Sequence, residues 1–417
     1  MKNYLVSFIS AVVIACASSS VSAQTQDAFF QENVLQDVQL RISERDWQAL
    51  KAAFDQDTYY PADLTWHGVT VRNVGIRSRG NTTRNGTKPG LHVDINRYIS
   101  NQEFLGLKAF VLDNAYSDAS LVHESVTMKV FARLGLPAPR EAHARLFVNN
   151  EYVGVYVIVE SIDRTFIARL FGAAEADVER GGYLYEYQWL RPYGFEDLGP
   201  TLEPYAALFT PKTRDSDSMA GLYNPIRDLV LAISEDSSVE LSEVRAKLDV
   251  ERALKYLAIE NFMAETDGLV GEWGLHNFHL YRFQDGQPAQ LIPWDKDAAF
   301  SSAHHPIDYH LEANVLVARA MAVPELQAVY VNTLLACAAL AEEPDAADQR
   351  GWLEREVDRE TSLIRSAVES DPVTPFSFDQ FEGEINRLVQ FARSRSGIVR
   401  CALSASNSME PQACTSE

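Results

Sequence analysis

The sequence is poor in cysteine and in positive charge, and it has no long apolar run after its first 23 residues. Only 4 of its 417 residues are cysteine, and their spacing provides no zinc-binding pattern. Lysine and arginine number 37 against 58 acidic residues, which gives a formal net charge of −21. This charge disfavours nucleic acid or an anionic membrane as a bulk partner and favours a basic protein. No later segment reaches the ~18 apolar residues that a membrane span requires.

The first 23 residues have the pattern of a secretory signal peptide. A lysine near the start precedes an apolar run from 4 to 15, and a small-residue cleavage pattern ends at Ala23. The run from Val13 to Cys16 also resembles a bacterial lipoprotein cleavage box. The sequence therefore predicts a secreted, periplasmic or extracellular protein, and lipid anchoring through Cys16 is the alternative.

The cysteines after the signal peptide are expected to lie in an oxidising compartment. There, an intramolecular disulfide is expected. Cys401 and Cys414 close the shorter loop, so we predict that they pair. Cys337 lies on an apolar helical run and is expected to be a buried thiol.

The order of the predicted elements is strands first and helices second, which is typical of the α+β class. The predicted strands lie at 34–42, 91–95 and 182–187, with one hairpin over 64–76 that turns at His67-Gly68 and a second around 149–151. The predicted helices lie at 117–134, 222–233, 249–268 and in four segments after residue 300. The expected divisions are a signal peptide (1–23), a β-rich N-terminal lobe (24–188), a crossing segment (189–240), a helical C-terminal lobe (241–400) and a tail (401–417).

The stretch from 259 to 300 combines a hairpin signal with acidic side chains. Asp285-Gly286 separates two short β-prone runs and predicts a tight turn. Counting antiparallel partners outward from this turn places Asn277 opposite Trp294. Directly opposed Cβ atoms lie roughly 4.5 to 5.5 Å apart, so the residues next to this pair are also expected to be neighbours.

That geometry brings the Asn277 amide together with the carboxylates of Asp295 or Asp297. Asp267 lies at the mouth of the preceding loop as a further carboxylate. Amide and carboxylate oxygens are the hard ligands that Mg²⁺ prefers, so the sequence predicts a magnesium site here. The alternative is a solvated acidic turn next to a polar residue that begins a strand.

A polar, cationic and glycine-containing loop, RSRGNTTRNGTK, spans residues 77–88. Such a loop presents backbone N–H groups and cationic side chains to an anion, which is a common way to hold phosphate. The loop lacks the GxxxxGK[ST] spacing of a P-loop, and no GxGxxG occurs in the chain. An exposed hairpin connection is the alternative interpretation.

Several of these stretches together resemble the spore coat protein H (CotH) kinase family. The stretches are RSRGNTTRNGTK (77–88), DASLVHESVTMKVFARLG (118–135), LFVNNEYVGVYVIVESID (146–163), GGYLYEY (181–187), HNFHLYRF (276–283) and LIPWDKDAAF (291–300). The resemblance implies an atypical protein-kinase-like fold of two lobes, with ATP and Mg²⁺ bound between them. It also implies phosphoryl transfer to Ser or Thr of a secreted or surface protein.

The resemblance assigns roles to residues of both lobes. Lys88, assisted by Arg79, would contact the nucleotide phosphates, and Glu124 would pair with Lys88 as a helix glutamate pairs with a strand lysine in protein kinases. Glu160 would lie near the adenine edge, in the connector between the lobes. His123 stands where the family usually has an arginine.

By the same resemblance, residues of the 259–300 stretch would take part directly in phosphoryl transfer. Asp267 would orient the substrate hydroxyl or accept its proton, and Asn277 and Asp295 would hold Mg²⁺, with Asp297 as a further metal ligand. Phosphoryl transfer needs such groups because the transferred group carries several negative charges, and positioning and charge neutralisation supply most of the rate.

Two alternative interpretations are considered: a scaffold without catalysis and a transition-metal site formed by histidines. A kinase-like scaffold without catalysis is the main rival, because ATP is scarce outside the cytoplasm. A cation and three oxygen ligands in one place argue against it. The histidines at 304, 305 and 310 are expected to be surface residues rather than a transition-metal site.

Overall fold

The computed structural model describes residues 24–235, 238 and 240–405. The predicted signal peptide, Cys16 and Cys414 lie outside these residues. The described chain is α+β, as predicted, with strands dominating its first part and helices its last.

The strands and helices have the following bounds. The strands are β1 Gln36–Ile42, β2 Tyr60–Trp66, β3 Val69–Arg79, β4 Gly90–Asp94, β5 Ala109–Asp113, β6 Glu141–Val148, β7 Glu151–Glu160, β8 Tyr183–Tyr187, β9 Phe209–Pro211, β10 Phe278–Arg282 and β11 Gln290–Pro293. The helices are α1 Gln26–Phe29, α2 Glu44–Ala52, α3 His123–Arg133, α4 Arg164–Phe171, α5 Glu203–Leu208, α6 Met219–Glu235, α7 Ser242–Arg245, α8 Val250–Met263, α9 Val315–Met321, α10 Pro324–Ala341, α11 Trp352–Glu369 and α12 Phe378–Ala405.

The first seven strands close into a barrel in the order β1-β2-β3-β4-β5-β7-β6. Alternate side chains of these strands face inward and form a separate apolar core. Two-residue turns join β2 to β3 and β6 to β7, and both residues of each turn have positive φ: His67 and Gly68, and Asn149 and Asn150. Such turns match the twist of the flanking strands. Both hairpins are confirmed, whereas closure of the barrel is a feature that strand patterns alone did not predict.

A second, antiparallel sheet has the order β11-β10-β8-β9. Phe278 pairs with Pro293, and the backbone N–H of Trp294 donates to the Asn277 carbonyl over 3.2 Å. The register counted from the Asp-Gly turn is therefore confirmed. Strand β8 belongs to this sheet through its pairing with β10, although it precedes the predicted boundary at residue 188.

Two helices have different ends from those predicted. The side chain of Asp249 caps α8 by accepting from the N–H of Arg252. The helix ends at Met263, five residues before the predicted Gly268, because Ala264 adopts a left-handed conformation. Helix α3 begins at His123 rather than near residue 117, and the Asp118 carboxylate accepts from the N–H groups of Ser120 and of His123, the first residue of the helix.

The last helices and the second sheet share the largest apolar core. Cys337 is a buried free thiol within it, as predicted. Cys401 forms a disulfide, and its predicted partner Cys414 lies outside the described residues. No single described helix has the length and composition of a membrane span, although α9 and α10, which meet at a bend of 99°, pass that test as a pair.

Candidate functional site

Five carboxylates from separate elements gather beside the end of β11. They are Asp113 at the end of β5, Glu124 in the first turn of α3, Glu141 at the start of β6, and Asp295 and Asp297 after β11. We call them the carboxylate cluster. They are close enough for their negative charges to raise the pKa values of their neighbours.

The cluster is electrostatically unfavourable without a cation. Burial and the charges of neighbouring carboxylates raise the pKa of Glu124 and of Glu141 well above the usual range. Burial is also the main reason that the pKa of Asp295 rises to about 6, and the Arg79 guanidinium opposes this rise. Burial and the charge of Asp295 raise the pKa of Asp297 to about 7. A divalent cation would remove most of this repulsion.

The donor groups fit such a cation. Glu141 is 6% exposed, and neither of its carboxylate oxygens has a hydrogen-bond partner among the described residues. A buried carboxylate without a partner is costly unless it coordinates a metal or is protonated. All five groups supply hard oxygen atoms, which suit Mg²⁺. The cluster contains Asp295 and Asp297, which the sequence predicted, and Glu141 and Asp113, which it did not.

Asp267 lies beside the cluster in the loop between α8 and β10. Its negative charge contributes to the raised pKa of Asp295. The imidazole Nδ1 of His276 lies 2.7 Å from one carboxylate oxygen of Asp267, and the amide of Asn277 donates to the other over 3.1 Å. These two contacts fix the direction of the Asp267 carboxylate.

The backbone on both sides of the predicted magnesium site is unusual. Asn277 and Asp295 both have left-handed φ values, 55° and 52°. Residues other than glycine adopt this conformation at a cost of about 1–3 kcal/mol, and such residues concentrate at functional sites. The amide nitrogen of Asn277 is used by Asp267, so the amide oxygen is the atom that could serve a cation.

A buried lysine that the sequence analysis did not identify supports this loop. Lys296 is fully buried, and its Nζ forms an ion pair with Glu260 of α8 at 2.9 Å and donates to the Asn277 carbonyl over 3.0 Å. Glu260 in turn accepts from the N–H of Leu269 over 2.9 Å. Lys296 stands between two aspartates, which is typical of an exposed turn. Its burial and its contacts are therefore visible only in the folded structure.

Arg79 is a cation in direct contact with a carboxylate of the cluster. Its Nη1 donates to the carboxylate of Asp113 over 2.7 Å, and its guanidinium lies over the Trp294 ring, 5.5 Å from the centroid. The Arg79 charge lowers the pKa of Asp295, which it therefore approaches. This position suits the predicted contact with an anion.

Lys88 is not paired with Glu124, so that prediction is wrong. Its Nζ forms an ion pair at 2.8 Å with Asp371, which follows α11, and Lys88 is only 2% exposed. Asp371 also accepts from the backbone N–H of Val155 in β7. The pair lies 283 positions apart in sequence, which is why no local pattern indicated it. Because its amine is buried and committed, we assign Lys88 a positioning role that ties the 77–88 loop to the helical part.

Replacing Lys88 with methionine should destabilise the protein. The Lys88→Met variant would leave Asp371 buried without its cation, and breaking a buried pair in this way typically costs about 3–5 kcal/mol. The free energy of unfolding, measured by denaturant titration, should fall by this amount. The double variant Lys88→Met/Asp371→Asn should recover part of the loss, because a neutral amide can still accept from Val155. If Lys88→Met keeps wild-type stability and only weakens nucleotide binding, the positioning role is wrong.

Glu160 has no free carboxylate oxygen for a ligand. It is buried at the end of β7 and forms ion pairs with Arg140 at 2.7 Å and Arg169 at 2.5 Å. These contacts join β7 to α4 and to the segment before β6. Its predicted place near an adenine edge remains a prediction, and only its backbone could serve there.

His123 replaces the family's arginine with a charged imidazole. Burial lowers its pKa, but the carboxylates of Asp118 and Glu384 and the Asp297 carbonyl raise the pKa to about 9. Nδ1 donates to the Asp297 carbonyl over 2.9 Å, and Nε2 donates to Glu384 over 2.9 Å. His123 thereby connects the backbone of a cluster residue to helix α12.

The histidines at 304, 305 and 310 differ in environment. His304 is exposed, as predicted, and His310 is half-buried and stacks on Tyr309. His305 is 6% exposed, so its prediction as a surface residue is wrong. Its ring packs against Tyr309 at a centroid distance of 4.5 Å, and its carbonyl accepts from the buried Arg395.

Without a divalent cation, the stability of the protein should fall as the pH rises. The folded-state pKa values of Asp295 and Asp297 are raised from 3.8 to about 6 and about 7. A raised carboxyl pKa contributes stability below the unfolded-state value and loses that contribution as the pH rises through the folded-state value. The midpoint of thermal unfolding, measured in a chelator, should therefore decline between about pH 4 and pH 7, and Mg²⁺ should reduce this decline.

A matched variant isolates the contribution of the cluster from that of the overall negative charge. Asp295→Asn/Asp297→Asn should unfold at a midpoint that changes less with pH in chelator and responds little to Mg²⁺. An identical pH profile for the variant and the wild type would contradict the assignment.

Comparisons with known proteins agree with this geometry. Residues 76–399 match the CotH kinase protein family, and this range includes the 77–88 loop and every member of the carboxylate cluster. The chain is also similar to the inner spore coat protein H of Bacillus subtilis (strain 168), with 24% identity over 388 residues that cover 88% of this chain and 97% of the relative. Since the family match extends over more than three quarters of the sequence, the chain belongs to the CotH kinase protein family.

Proposed function

We propose that the protein transfers the γ-phosphoryl group of ATP to a Ser or Thr hydroxyl of another protein, in a reaction that depends on Mg²⁺. The observation that supports this proposal is the carboxylate cluster, together with Arg79, which donates to Asp113, and Asp267, whose charge acts on Asp295. A metal-binding set of carboxylates, a cation for phosphate and an oriented carboxylate are the parts that protein phosphorylation requires.

The proposed roles follow from the contacts. Asp295 and Asp297 would hold Mg²⁺, together with the amide oxygen of Asn277, and Glu124 and Glu141 would add negative charge to the same place. Bound Mg²⁺ would neutralise charge on the phosphates and orient them. Arg79, rather than Lys88, would contact the nucleotide phosphates, because its guanidinium already donates to Asp113 of the carboxylate cluster.

Asp267 is proposed to orient the acceptor hydroxyl and take up its proton. Its carboxylate is held by His276 and Asn277, which leaves little freedom for it to turn away. The ion pair between Lys296 and Glu260 would keep the loop in place from behind. In this scheme the chain positions the reactants and balances charge and forms no covalent bond with the phosphoryl group.

The substrate is proposed to be a basic secreted or surface protein. A formal net charge of −21 favours a cationic partner. The name of the Bacillus subtilis relative places that protein in the spore coat. A location outside the cytoplasm for this chain is consistent with the signal peptide predicted for residues 1–23.

A transfer assay distinguishes this function from a kinase-like scaffold. The purified protein, Mg²⁺ and γ-labelled ATP should label serine or threonine of a basic test protein or of the chain itself, as identified by mass spectrometry. Chelation of Mg²⁺ should abolish the labelling. If no labelling and no nucleotide-dependent thermal shift occur, the scaffold alternative is correct.

A further inference from the structure

Trp273 and the half-buried Trp189 meet beside the Asp267 loop, and the exposed Leu190 follows Trp189 in the chain. Trp273 is 53% exposed and Leu190 is 59% exposed. The indole N–H of Trp189 donates to the Trp273 carbonyl over 2.9 Å, and the two indole rings meet at 82° with centroids 6.1 Å apart. We call these three residues the tryptophan platform.

The platform lies one side chain away from the proposed proton acceptor. The Trp189 ring is 6.2 Å from the His276 ring, and His276 contacts the Asp267 carboxylate at 2.7 Å. A molecule resting on Trp189 and Trp273 would therefore extend toward Asp267. None of the three platform residues belongs to the carboxylate cluster, so metal binding does not explain their exposure.

The two segments that carry the platform are held together by their backbones. The N–H of Leu275 donates to the Tyr193 carbonyl over 2.8 Å. Gly274 has a φ of 77°, and a Cβ atom there would lie only 2.7 Å from the same carbonyl. Only a glycine permits this close approach, so the platform has a defined position relative to Asp267.

Exposed acidic residues outnumber exposed basic ones in the two chain segments that carry the platform. Glu272 precedes Trp273, and Glu196 and Asp197 follow Leu190 within seven positions; all three are exposed. Arg191 is the exposed cation in the same segment. Tryptophan faces attract ammonium and guanidinium groups at distances up to about 6 Å, and acidic neighbours strengthen that preference. Tryptophan is also enriched at the energetic centres of protein interfaces.

We propose that the tryptophan platform docks the cationic segment that flanks the acceptor Ser or Thr of the protein substrate, with an arginine or lysine side chain against Trp273. This inference rests on the proposed function for its placement beside an acceptor hydroxyl. It adds the surface that selects the substrate. A second copy of the chain is the alternative occupant, and its own strong negative charge disfavours that pairing.

Direct binding tests the platform without turnover. The probe is a short fluorescent peptide with one central serine flanked by arginines, and a second peptide carries glutamate in place of each arginine. Fluorescence anisotropy should show that Trp273→Ala weakens binding of the arginine peptide by about 2- to 30-fold, the range expected for loss of a cation–π contact. Trp273→Phe should restore much of the affinity, and the glutamate peptide should not bind.

Matched controls separate docking from folding and from nucleotide binding. Tyr98→Ala removes an aromatic side chain of similar exposure, 46%, from the loop between β4 and β5 and should leave peptide affinity unchanged. Trp273→Ala should keep wild-type affinity for a non-hydrolysable ATP analogue with Mg²⁺. In transfer assays it should raise KM for the peptide and leave kcat near the wild-type value.

Three results would overturn the proposal. The first is equal affinity of the wild type and Trp273→Ala for the arginine peptide, and the second is equal binding of the arginine and glutamate peptides. The third is self-association of the wild type in sedimentation that Trp273→Ala abolishes, which would make the platform a contact between copies. Platform-dependent peptide binding without any phosphoryl transfer would contradict the proposed function and leave the docking surface in place.

Discussion

Asp295→Asn is expected to abolish Mg²⁺-dependent nucleotide binding and, with it, phosphoryl transfer. The charge of Asp295 acts on Glu124, Glu141 and Asp297, and the Arg79 guanidinium acts on Asp295. An amide in its place would supply one neutral oxygen and no negative charge. Because changes even to the partners of metal ligands cost 10- to 100-fold in affinity, we expect a loss of at least about 100-fold.

The control lies at the other end of the same hairpin. Asp285→Asn makes the same chemical change at the exposed turn between β10 and β11, where the side chain contacts only its own loop. It should bind the ATP analogue with Mg²⁺ as the wild type does in calorimetry. If Asp295→Asn also binds normally, the metal assignment is wrong.

Asp267→Asn is expected to separate transfer from binding. The asparagine can still contact His276, so the loop should remain folded, but it cannot accept the proton of a hydroxyl. A positioned general base contributes about 10²- to 10⁴-fold to rate, and kcat should fall by that amount. Affinity for the ATP analogue with Mg²⁺ should stay near the wild-type value. A parallel fall in binding and turnover would show that Asp267 serves the metal instead.

Local sequence signals predicted several strands and turns of this fold, although β5 and β9 were not among them. The Asp285-Gly286 pair gave the correct register of β10 and β11, and therefore the correct neighbour for Asn277. Turn geometry is set by a few adjacent residues, so a single sequence contains the information. The predicted start of a helix at residue 249 was correct for the same reason, because Asp249 caps α8.

The site was predicted only in part because its remaining members come from distant elements. Glu141 begins a strand of the barrel, and nothing in its neighbourhood distinguishes it from a surface glutamate. The partner of Lys88 lies in the helical part, at Asp371, and the pairing depends on how that part packs against β7. Periodicity and turn chemistry do not encode such tertiary contacts. The resemblance to protein kinases then favoured Glu124 as the partner, and the structure corrects it.

The burial of Lys88 changes the view of the 77–88 loop. The loop was expected to supply its cation from Lys88, but Arg79 at the end of β3 occupies the position beside the cluster. Lys88 instead fastens the loop to the segment after α11. In the proposed function, Arg79 of this loop therefore contacts phosphate, and Lys88 of the same loop joins the barrel to the helical part.

Isothermal titration calorimetry of a non-hydrolysable ATP analogue tests the central claim most directly. The claim is that the carboxylate cluster exists to hold a divalent cation and its nucleotide. We predict saturable binding of the analogue in Mg²⁺, little binding in a chelator, and loss of the Mg²⁺ dependence in Asp295→Asn/Asp297→Asn. Equal binding with and without Mg²⁺, or no binding in either condition, would contradict the claim.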